Sequence, residues 1–199
     1  MRNSLTSYIP VTRNLLRYSL LLLAAAAPLL HAQQKLTLDP AHSEIHFTID
    51  TTLHTVHGTF TLQQGEIAFD PATGTASGTI EANALSGQSG DSARDRRMSD
   101  EVLKAPTYKT IAFAPTSFTG TFNPSGDSTL QVHGTFTLLG KPHEIIVPMK
   151  LTAAGPTLHA TGTFSIPYIQ WGLKDPSTFV FRVKKDVQID LTLTGTLHP

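Results

Sequence analysis

Apolar and polar residues alternate in short segments along most of the chain. The hexapeptide His-Gly-Thr-Phe-Thr-Leu occurs twice, at 57–62 and 133–138, and shorter Gly-Thr-Phe copies occur at 120–122 and 162–164. Because successive side chains of a strand point to opposite faces, the Phe and Leu of each hexapeptide share one face and the two Thr share the other. The pattern therefore predicts strands with an apolar inner face and a hydroxyl-rich outer face.

Similar segments follow one another at short, regular spacing, with turn sequences between them. Residues 70–74 and 123–127 each combine a Pro with a Gly, which is typical of hairpin loops. About ten strands are expected, and closing them into a barrel removes the exposed edges of an open sheet. We predict an all-β protein with an antiparallel β-barrel, and a two-sheet sandwich is the alternative. The strand signals lie at 45–49, 56–62, 67–69, 75–82, 111–113, 118–122, 130–138, 144–151, 158–166, 178–183 and 187–197.

One stretch, residues 89–104, breaks the alternation. It is polar, and Asp91 stands where the N-cap of a helix would lie. Pro106 follows the stretch and has no amide hydrogen to donate, so a helix ends before it. We expect a short helical insertion near residues 90–104, with one or two helices across an end of the barrel.

The first 32 residues differ in composition from the rest of the chain. Three Arg precede an apolar run at 20–30, and Ala32 offers a small residue for cleavage. This arrangement predicts a bacterial secretory signal peptide over residues 1–32 and one domain over residues 33–199. The apolar run is shorter than the roughly 20 residues that cross a bilayer, so a retained anchor is the less favoured alternative. We therefore expect the protein to be periplasmic or secreted.

The charge balance argues against a nucleic-acid partner. The chain has 15 Lys and Arg and 15 Asp and Glu, and three of the Arg but no acidic residue lie within residues 1–32. Residues 33–199 therefore carry a net charge near −3. Proteins that bind duplex nucleic acid usually present a basic patch to the phosphates. The chain also contains no Cys, so its core must be stable without disulfides.

Four segments, in order along the chain, resemble the YceI-like family. The resemblance extends from about Leu36 to Leu197. It implies an extended, lipocalin-like antiparallel barrel, exported in bacteria, whose interior holds a long isoprenoid or a similar lipid. The four segments are Leu-Asp-Pro-Ala-His-Ser-Glu-Ile-His-Phe at 38–47, Val-His-Gly-Thr-Phe at 56–60, the pair 93–98 and 108–113, and Val-His-Gly-Thr-Phe-Thr-Leu-Leu-Gly-Lys at 132–141.

The apolar side chains of the inner face are the candidate lipid-binding residues. They could also fill a solid core, because small barrels of about eight strands are packed in some proteins and hollow in others. The family resemblance favours a cavity. Burying a prenyl chain would gain about 25 cal/mol per Å² of apolar surface, enough for micromolar binding without a catalytic group. The candidate lipid-binding residues are Phe47, Phe60, Phe69, Ile80, Phe113, Phe136, Leu138, Phe164, Ile166, Trp171 and Phe181.

Two residues outside the strands have both a functional and a structural interpretation. Arg94 begins an Arg-Asp-Arg-Arg cluster, and a guanidinium beside the barrel mouth can bind a phosphate head group. Alternatively, Arg94 and Asp95 attach the helical insertion to the barrel wall. Trp171 is the one Trp of the chain, and it either plugs the cavity entrance or contacts a membrane surface. A plug is the favoured interpretation.

Neither catalysis nor metal binding is expected from the sequence. The Gly-Gln-Ser-Gly-Asp segment at 87–91 lacks the final Gly of a nucleophile elbow and the α/β context that the elbow needs. His42 and His46, on one strand face, would lie about 13 Å apart, too far to share an ion. There is also no His-Glu-x-x-His motif.

These observations together predict a binding protein. It would hold an isoprenoid or other long-chain lipid, such as a polyprenyl phosphate or a quinone, without catalytic residues, cofactor or metal. Contact with membranes would be transient, and homodimer formation is left open. The alternative is a packed barrel that serves as a stress-response or interaction module. An enzyme that acts on its bound lipid is a third and less favoured class.

Overall fold

The computed structural model describes residues 33–198, so the predicted signal peptide lies outside the described residues. Ten strands form one antiparallel sheet that closes on itself. In the described part of the chain, no helix is long and apolar enough to cross a membrane. The strands are β1 (Gln34–Leu38), β2 (Glu44–Asp50), β3 (Thr55–Phe60), β4 (Leu62–Asp70), β5 (Thr75–Asn83), β6 (Thr110–Thr119), β7 (Asp127–Leu138), β8 (Lys141–Ala154), β9 (Thr157–Ile166) and β10 (Val187–His198). Short 3₁₀ turns lie at Pro40–His42 and Ala84–Ser86.

The barrel wall has eight strand positions, because β1 and β2 together occupy one position and β3 and β4 together occupy another. β1 pairs with β4 and β2 with β3, so the four short strands make one long hairpin, interrupted at 39–43 and at Thr61. β10 pairs with β9 on one side and with β1 and β2 on the other, which closes the ring. The predicted all-β, antiparallel, lipocalin-like barrel is confirmed, and the sandwich alternative is wrong.

The repeated His-Gly-Thr-Phe segments place a Gly where a large side chain from the neighbouring strand crosses it. A Cβ built on Gly58 would lie 2.3 Å from the ring of Phe47, its register partner. A Cβ on Gly134 would lie 2.6 Å from the ring of Phe113. The missing side chains therefore make room for aromatic rings inside the barrel.

Aromatic side chains close one end of the barrel. The ring of Phe69 makes edge contacts with Phe118 and Phe122, at centroid distances of 6.2 and 5.2 Å. All three residues are buried. The hairpin loops predicted at 70–74 and 123–127 lie at this end, which we call the closed end.

The opposite end carries the helical insertion. Between β5 and β6 the chain forms α1 (Ser92–Arg97) and then a π-helical turn (Met98–Val102). The carboxylate of Asp91 accepts hydrogen bonds from the amides of Ala93 and Arg94, each at 2.9 Å. The bond from the Arg94 amide is the main cause that lowers the pKa of Asp91. The predicted helical insertion near residues 90–104 and its cap are confirmed.

Two of the predicted strands at the middle of the chain are one strand in the structure. The sequence pattern predicts separate strands at 111–113 and 118–122, but β6 runs continuously through Pro115. The pairing of β6 with β7 shifts register just after this Pro, which has no amide hydrogen for the ladder. Phe122 lies in the loop that follows. The sequence pattern also did not predict β1.

The strand predicted at 178–183 is wrong. The amide of Thr178 donates to the carbonyl of Phe181 at 2.7 Å, so the chain forms a tight turn here. Val183 alone makes an isolated bridge, with Thr51. The apolar residues Phe179, Phe181 and Val183 alternate in the sequence as in a strand, so the sequence pattern does not distinguish the two. The turn leaves Phe179 exposed, while Phe181 and Val183 line the cavity.

Candidate functional site

The barrel encloses a cavity of about 650 Å³. All ten strands contribute apolar side chains to its lining. The volume falls within the range of about 300–1,000 Å³ that is typical of small-molecule sites. The polar side chains of the lining lie at the end opposite the closed end, which we call the mouth. They are Thr51, Ser89, Asp91, Arg94, Arg97 and Thr178.

The structure brings ten of the eleven candidate lipid-binding residues together around the cavity. Phe47 and Phe60 are in contact, with ring centroids 5.5 Å apart, and Phe136 and Phe164 lie 6.1 Å apart. Their role in lipid binding stays a prediction, while their position on the inner face is observed. The ten residues are Phe47, Phe60, Phe69, Ile80, Phe113, Phe136, Leu138, Phe164, Ile166 and Phe181.

Trp171 is the exception, because it does not line the cavity. Its indole stacks on the imidazole of His143, with centroids 4.1 Å apart and an interplanar angle of 5°. It also contacts Phe136, whose ring lies 5.7 Å away and does line the cavity. Trp171 thus supports the cavity wall through Phe136, and the structure does not place it as a plug of the entrance.

Arg94 lies at the mouth and is held there by Ser89. Its Nε donates to the hydroxyl of Ser89 at 2.7 Å, and its Nη2 donates to the Ser89 carbonyl at 2.8 Å. The carboxylate of Asp95 accepts hydrogen bonds from the Ser89 amide, at 2.8 Å, and from the Ser89 hydroxyl. A guanidinium has five N–H donors, and these two bonds leave others for a ligand.

A small number of hydrogen bonds joins this insertion to the barrel wall. Thr59 of β3 and Gln88 exchange two backbone hydrogen bonds of 2.8 and 3.0 Å. The hydroxyl of Ser86 accepts a further bond from the amide of Thr61, at 2.8 Å. Because Ser89 follows Gln88 directly, Arg94 connects α1 to β3 through this short segment. Arg94 and Asp95 thus bond to Ser89 and attach the insertion to the wall only indirectly, through the neighbouring Gln88. The head-group role of Arg94 stays a prediction.

The loop between β9 and β10 forms another side of the mouth. Its backbone is bonded to the β2–β3 turn, with the amide of Thr52 donating to the Arg182 carbonyl at 3.0 Å. The Lys184 ammonium donates to the carboxylate of Asp50 at 2.7 Å. This bond is the main cause that lowers the pKa of Asp50 and raises the pKa of Lys184. The loop contributes Leu173, Pro176, Thr178, Phe181 and Val183 to the cavity lining.

A family model described as the YceI-like domain matches residues 36–195. The chain belongs to the YceI-like family. The match covers nearly all of the barrel, from β1 to β10. No curated protein matches the chain.

Solved structures share the fold of this YceI-like chain. BcnA of Burkholderia cenocepacia is 22% identical, with a TM-score of 0.65 over 79% of this chain and 98% of that chain. A polyisoprenoid binding domain from Saccharophagus degradans, implicated in plant cell wall breakdown, is 16% identical, with a TM-score of 0.63 over 81% of this chain and 97% of that chain. A YceI protein of Campylobacter jejuni is 14% identical, with a TM-score of 0.53 over 69% and 80% of the two chains.

The YceI-like cavity also includes residues that the sequence analysis did not single out. Met98 and Val102 reach it from the helical insertion, and Phe118 and Phe122 from the closed end. Met98 and Val102 are four residues apart, so they share a face of the helical segment. That spacing was the available signal on the insertion. For Phe122 the signal was the Gly-Thr-Phe copy at 120–122, whose Phe corresponds to the cavity-lining Phe60 and Phe136 of the two hexapeptides.

Proposed function

We propose that the barrel binds an isoprenoid-like lipid, such as a polyprenyl phosphate or a quinone, and releases it chemically unchanged. The observation that carries this proposal is the cavity of about 650 Å³, which is lined by apolar side chains from every strand. A hydrocarbon tail gains free energy when it leaves water for such a space. A polar molecule would instead lose its hydrogen bonds to water without gaining partners.

Two similarities support this class of ligand. The chain belongs to the YceI-like family, and one protein with the same fold is a polyisoprenoid binding domain. An eight-stranded barrel is also just wide enough to hold one small or slender ligand. The open volume favours this function over the packed barrel of the alternative hypothesis.

The distribution of polar residues gives the bound lipid an orientation. The tail would extend toward the closed end, where Phe69, Phe118 and Phe122 meet. The head would stay at the mouth beside Arg94, whose guanidinium can form charge-assisted hydrogen bonds with a phosphate. The oxygen of a quinone would accept a weaker, neutral hydrogen bond from the same group.

The sequence of residues 1–32 supports a location in the bacterial periplasm or outside the cell. The proposed function needs no catalytic group, cofactor or metal, because binding and release involve no change of covalent bonds. Membrane contact would be transient and would serve the exchange of lipid. A homodimer is compatible with this function but is not required by it.

Binding of a series of isoprenoids with increasing tail length tests this function. The ligands would be quinones with the same head and one to several isoprene units, titrated into the protein comprising residues 33–199. The affinity should rise with each unit until the cavity is full, since each unit buries more apolar surface. Equal affinity for all tail lengths, or no binding at all, would reject the proposed function.

A further inference from the structure

The loop between β9 and β10 carries two large apolar side chains at the tip of a turn. The hydrogen bond from the amide of Thr178 to the carbonyl of Phe181 places Phe179 and Val180 at the two central positions. Phe179 is 93% exposed and Val180 is 85% exposed. Such positions usually hold Gly, Pro, Asn, Asp or Ser. Two exposed apolar residues here point to a contact that covers them.

A second exposed apolar tip lies beside the first. Leu53 is 78% exposed in the turn between β2 and β3. This turn is bonded to the β9–β10 loop, since the amide of Thr52 donates to the Arg182 carbonyl at 3.0 Å and the Arg182 amide donates to the Thr52 hydroxyl at 3.4 Å. Leu53, Phe179 and Val180 therefore belong to one surface, which we call the mouth patch.

The mouth patch borders the cavity. Thr51, Thr178 and Phe181 lie within two residues of the exposed tips in the same two turns, and all three line the cavity. The base of each turn therefore faces the space proposed for the lipid, while its tip is in solvent. A surface that covered the tips would also cover the mouth.

The loop that carries the larger apolar tip of the mouth patch has an excess of cationic side chains. Residues 174–186 contain four Lys and Arg and two Asp, a net charge of +2, although residues 33–199 as a whole carry about −3. Arg182, Lys184 and Lys185 follow the apolar tip and are exposed. The helical insertion adds no net charge, because residues 91–104 contain four Lys and Arg and four Asp and Glu. The excess of positive charge at the mouth thus lies on the β9–β10 loop of an otherwise weakly acidic domain, and this complements an anionic surface.

We propose that the mouth patch docks the barrel on an anionic lipid membrane. Exposed apolar tips beside cationic side chains are suited to binding a bilayer. The tips enter the boundary of the acyl chains, and the cations contact phosphate groups. This inference rests on the proposed function, because a bilayer is the source from which a membrane lipid enters a cavity without crossing water. Docking at the mouth brings the cavity entrance against that source.

Vesicle cosedimentation of the protein comprising residues 33–199 tests this surface. This part of the chain contains all ten strands and every pairing that closes the barrel. We expect it to bind vesicles of phosphatidylglycerol and phosphatidylcholine more tightly than phosphatidylcholine alone, and less tightly as salt is raised. The double variant Phe179→Ser, Val180→Ser should lose about tenfold or more in affinity. Ile146→Ser removes a side chain that is 53% exposed on β8 and should change nothing.

Uptake of a short-tailed isoprenoid from aqueous solution separates this inference from the proposed function. The double variant should take up the dissolved ligand as the unaltered protein does, since its exposed tips do not line the cavity. The docking surface is overturned if the unaltered protein does not bind anionic vesicles, or if the double variant binds them equally well. If both proteins fail to take up the ligand while vesicle binding still depends on the tips, the proposed function fails and the docking surface stands.

Discussion

Gly58 lies directly beneath the ring of Phe47, where a Cβ would fall 2.3 Å from Phe47 Cζ and 2.4 Å from the Gln88 carbonyl oxygen. The two residues are register partners on β3 and β2. Phe47 lines the cavity and is buried. The glycine of the repeated hexapeptide thus has a steric role, because it lets an aromatic ring cross the neighbouring strand.

Gly58→Ala should lower the free energy of unfolding by about 1–3 kcal/mol, the usual cost of overpacking a core. Urea denaturation of the single and double variants measures this cost. Because part of the clash is with the ring, the same substitution should cost less in a Phe47→Leu background. The part that remains reflects the Gln88 carbonyl. Equal costs in the two backgrounds would contradict the steric role of this pair.

Ile80→Trp should block the cavity. Ile80 lines it from β5, so an indole at this position would occupy space that the structure leaves open. We expect isoprenoid affinity to fall about tenfold or more through lost buried area, while the free energy of unfolding changes little. Ile146→Trp, on the outer wall, is the matched control and should bind normally. Unchanged affinity of Ile80→Trp would show that the ligand lies elsewhere.

Arg94→Ala should weaken the binding of lipids with charged heads more than the binding of neutral lipids. A guanidinium forms stronger hydrogen bonds with a phosphate than with a quinone oxygen, so we expect about a tenfold loss for polyprenyl phosphates. Titration of both ligand classes gives the comparison. Ser89→Ala is the control, since it removes the hydroxyl that holds Arg94 and keeps the cation. An equal loss for both ligand classes would leave Arg94 only its structural role.

Tyr168 should make the fold sensitive to alkaline pH. Its hydroxyl donates to the Lys184 carbonyl at 2.9 Å, and burial is the main cause that raises the pKa of Tyr168 from 10.0 to about 12. The unfolded chain loses this proton near pH 10.0, whereas the folded chain keeps it up to about 12. The stabilisation is therefore complete below the lower value and is lost as pH rises through the higher one.

Thermal unfolding measured across this alkaline range tests the effect of Tyr168. The melting temperature of the unaltered protein should fall steeply as pH rises. The melting temperature of Tyr168→Phe should fall less steeply, because Phe has no proton to lose. The absorbance of ionised Tyr, measured over the same pH range, should show one fewer Tyr with a raised pKa in the variant. Identical pH profiles for the two proteins would exclude Tyr168 as the cause.

The sequence predicted the barrel well because alternation reports directly which side chains face inward. Phe60 and Phe136 stand at the same place in the two hexapeptides, and both line the cavity. The Asp91 cap was equally predictable, since a carboxylate that accepts amide hydrogen bonds acts within a few residues. Local geometry and local chemistry determine these features.

Other features of the structure depend on contacts between segments that are far apart in the sequence. The pattern of apolar and polar residues does not report such contacts. Residues 179–183 have the apolar alternation of a strand in the sequence, but the turn from Thr178 to Phe181 leaves Phe179 exposed. Trp171 was expected as a plug, but stacking on His143 holds its ring outside the cavity. Whether the inner face leaves open space depends on how eight strands close, and no single strand carries that information.

Native mass spectrometry of residues 33–199, purified from cells without detergent, shows whether the barrel cavity holds a lipid. Extraction and identification of any bound molecule would follow. We expect one isoprenoid lipid per barrel, and we expect this lipid to be absent from the Ile80→Trp variant and present in Ile146→Trp. A protein that is free of lipid, and stays so after incubation with isoprenoids of several lengths, would show that the cavity is not a lipid site.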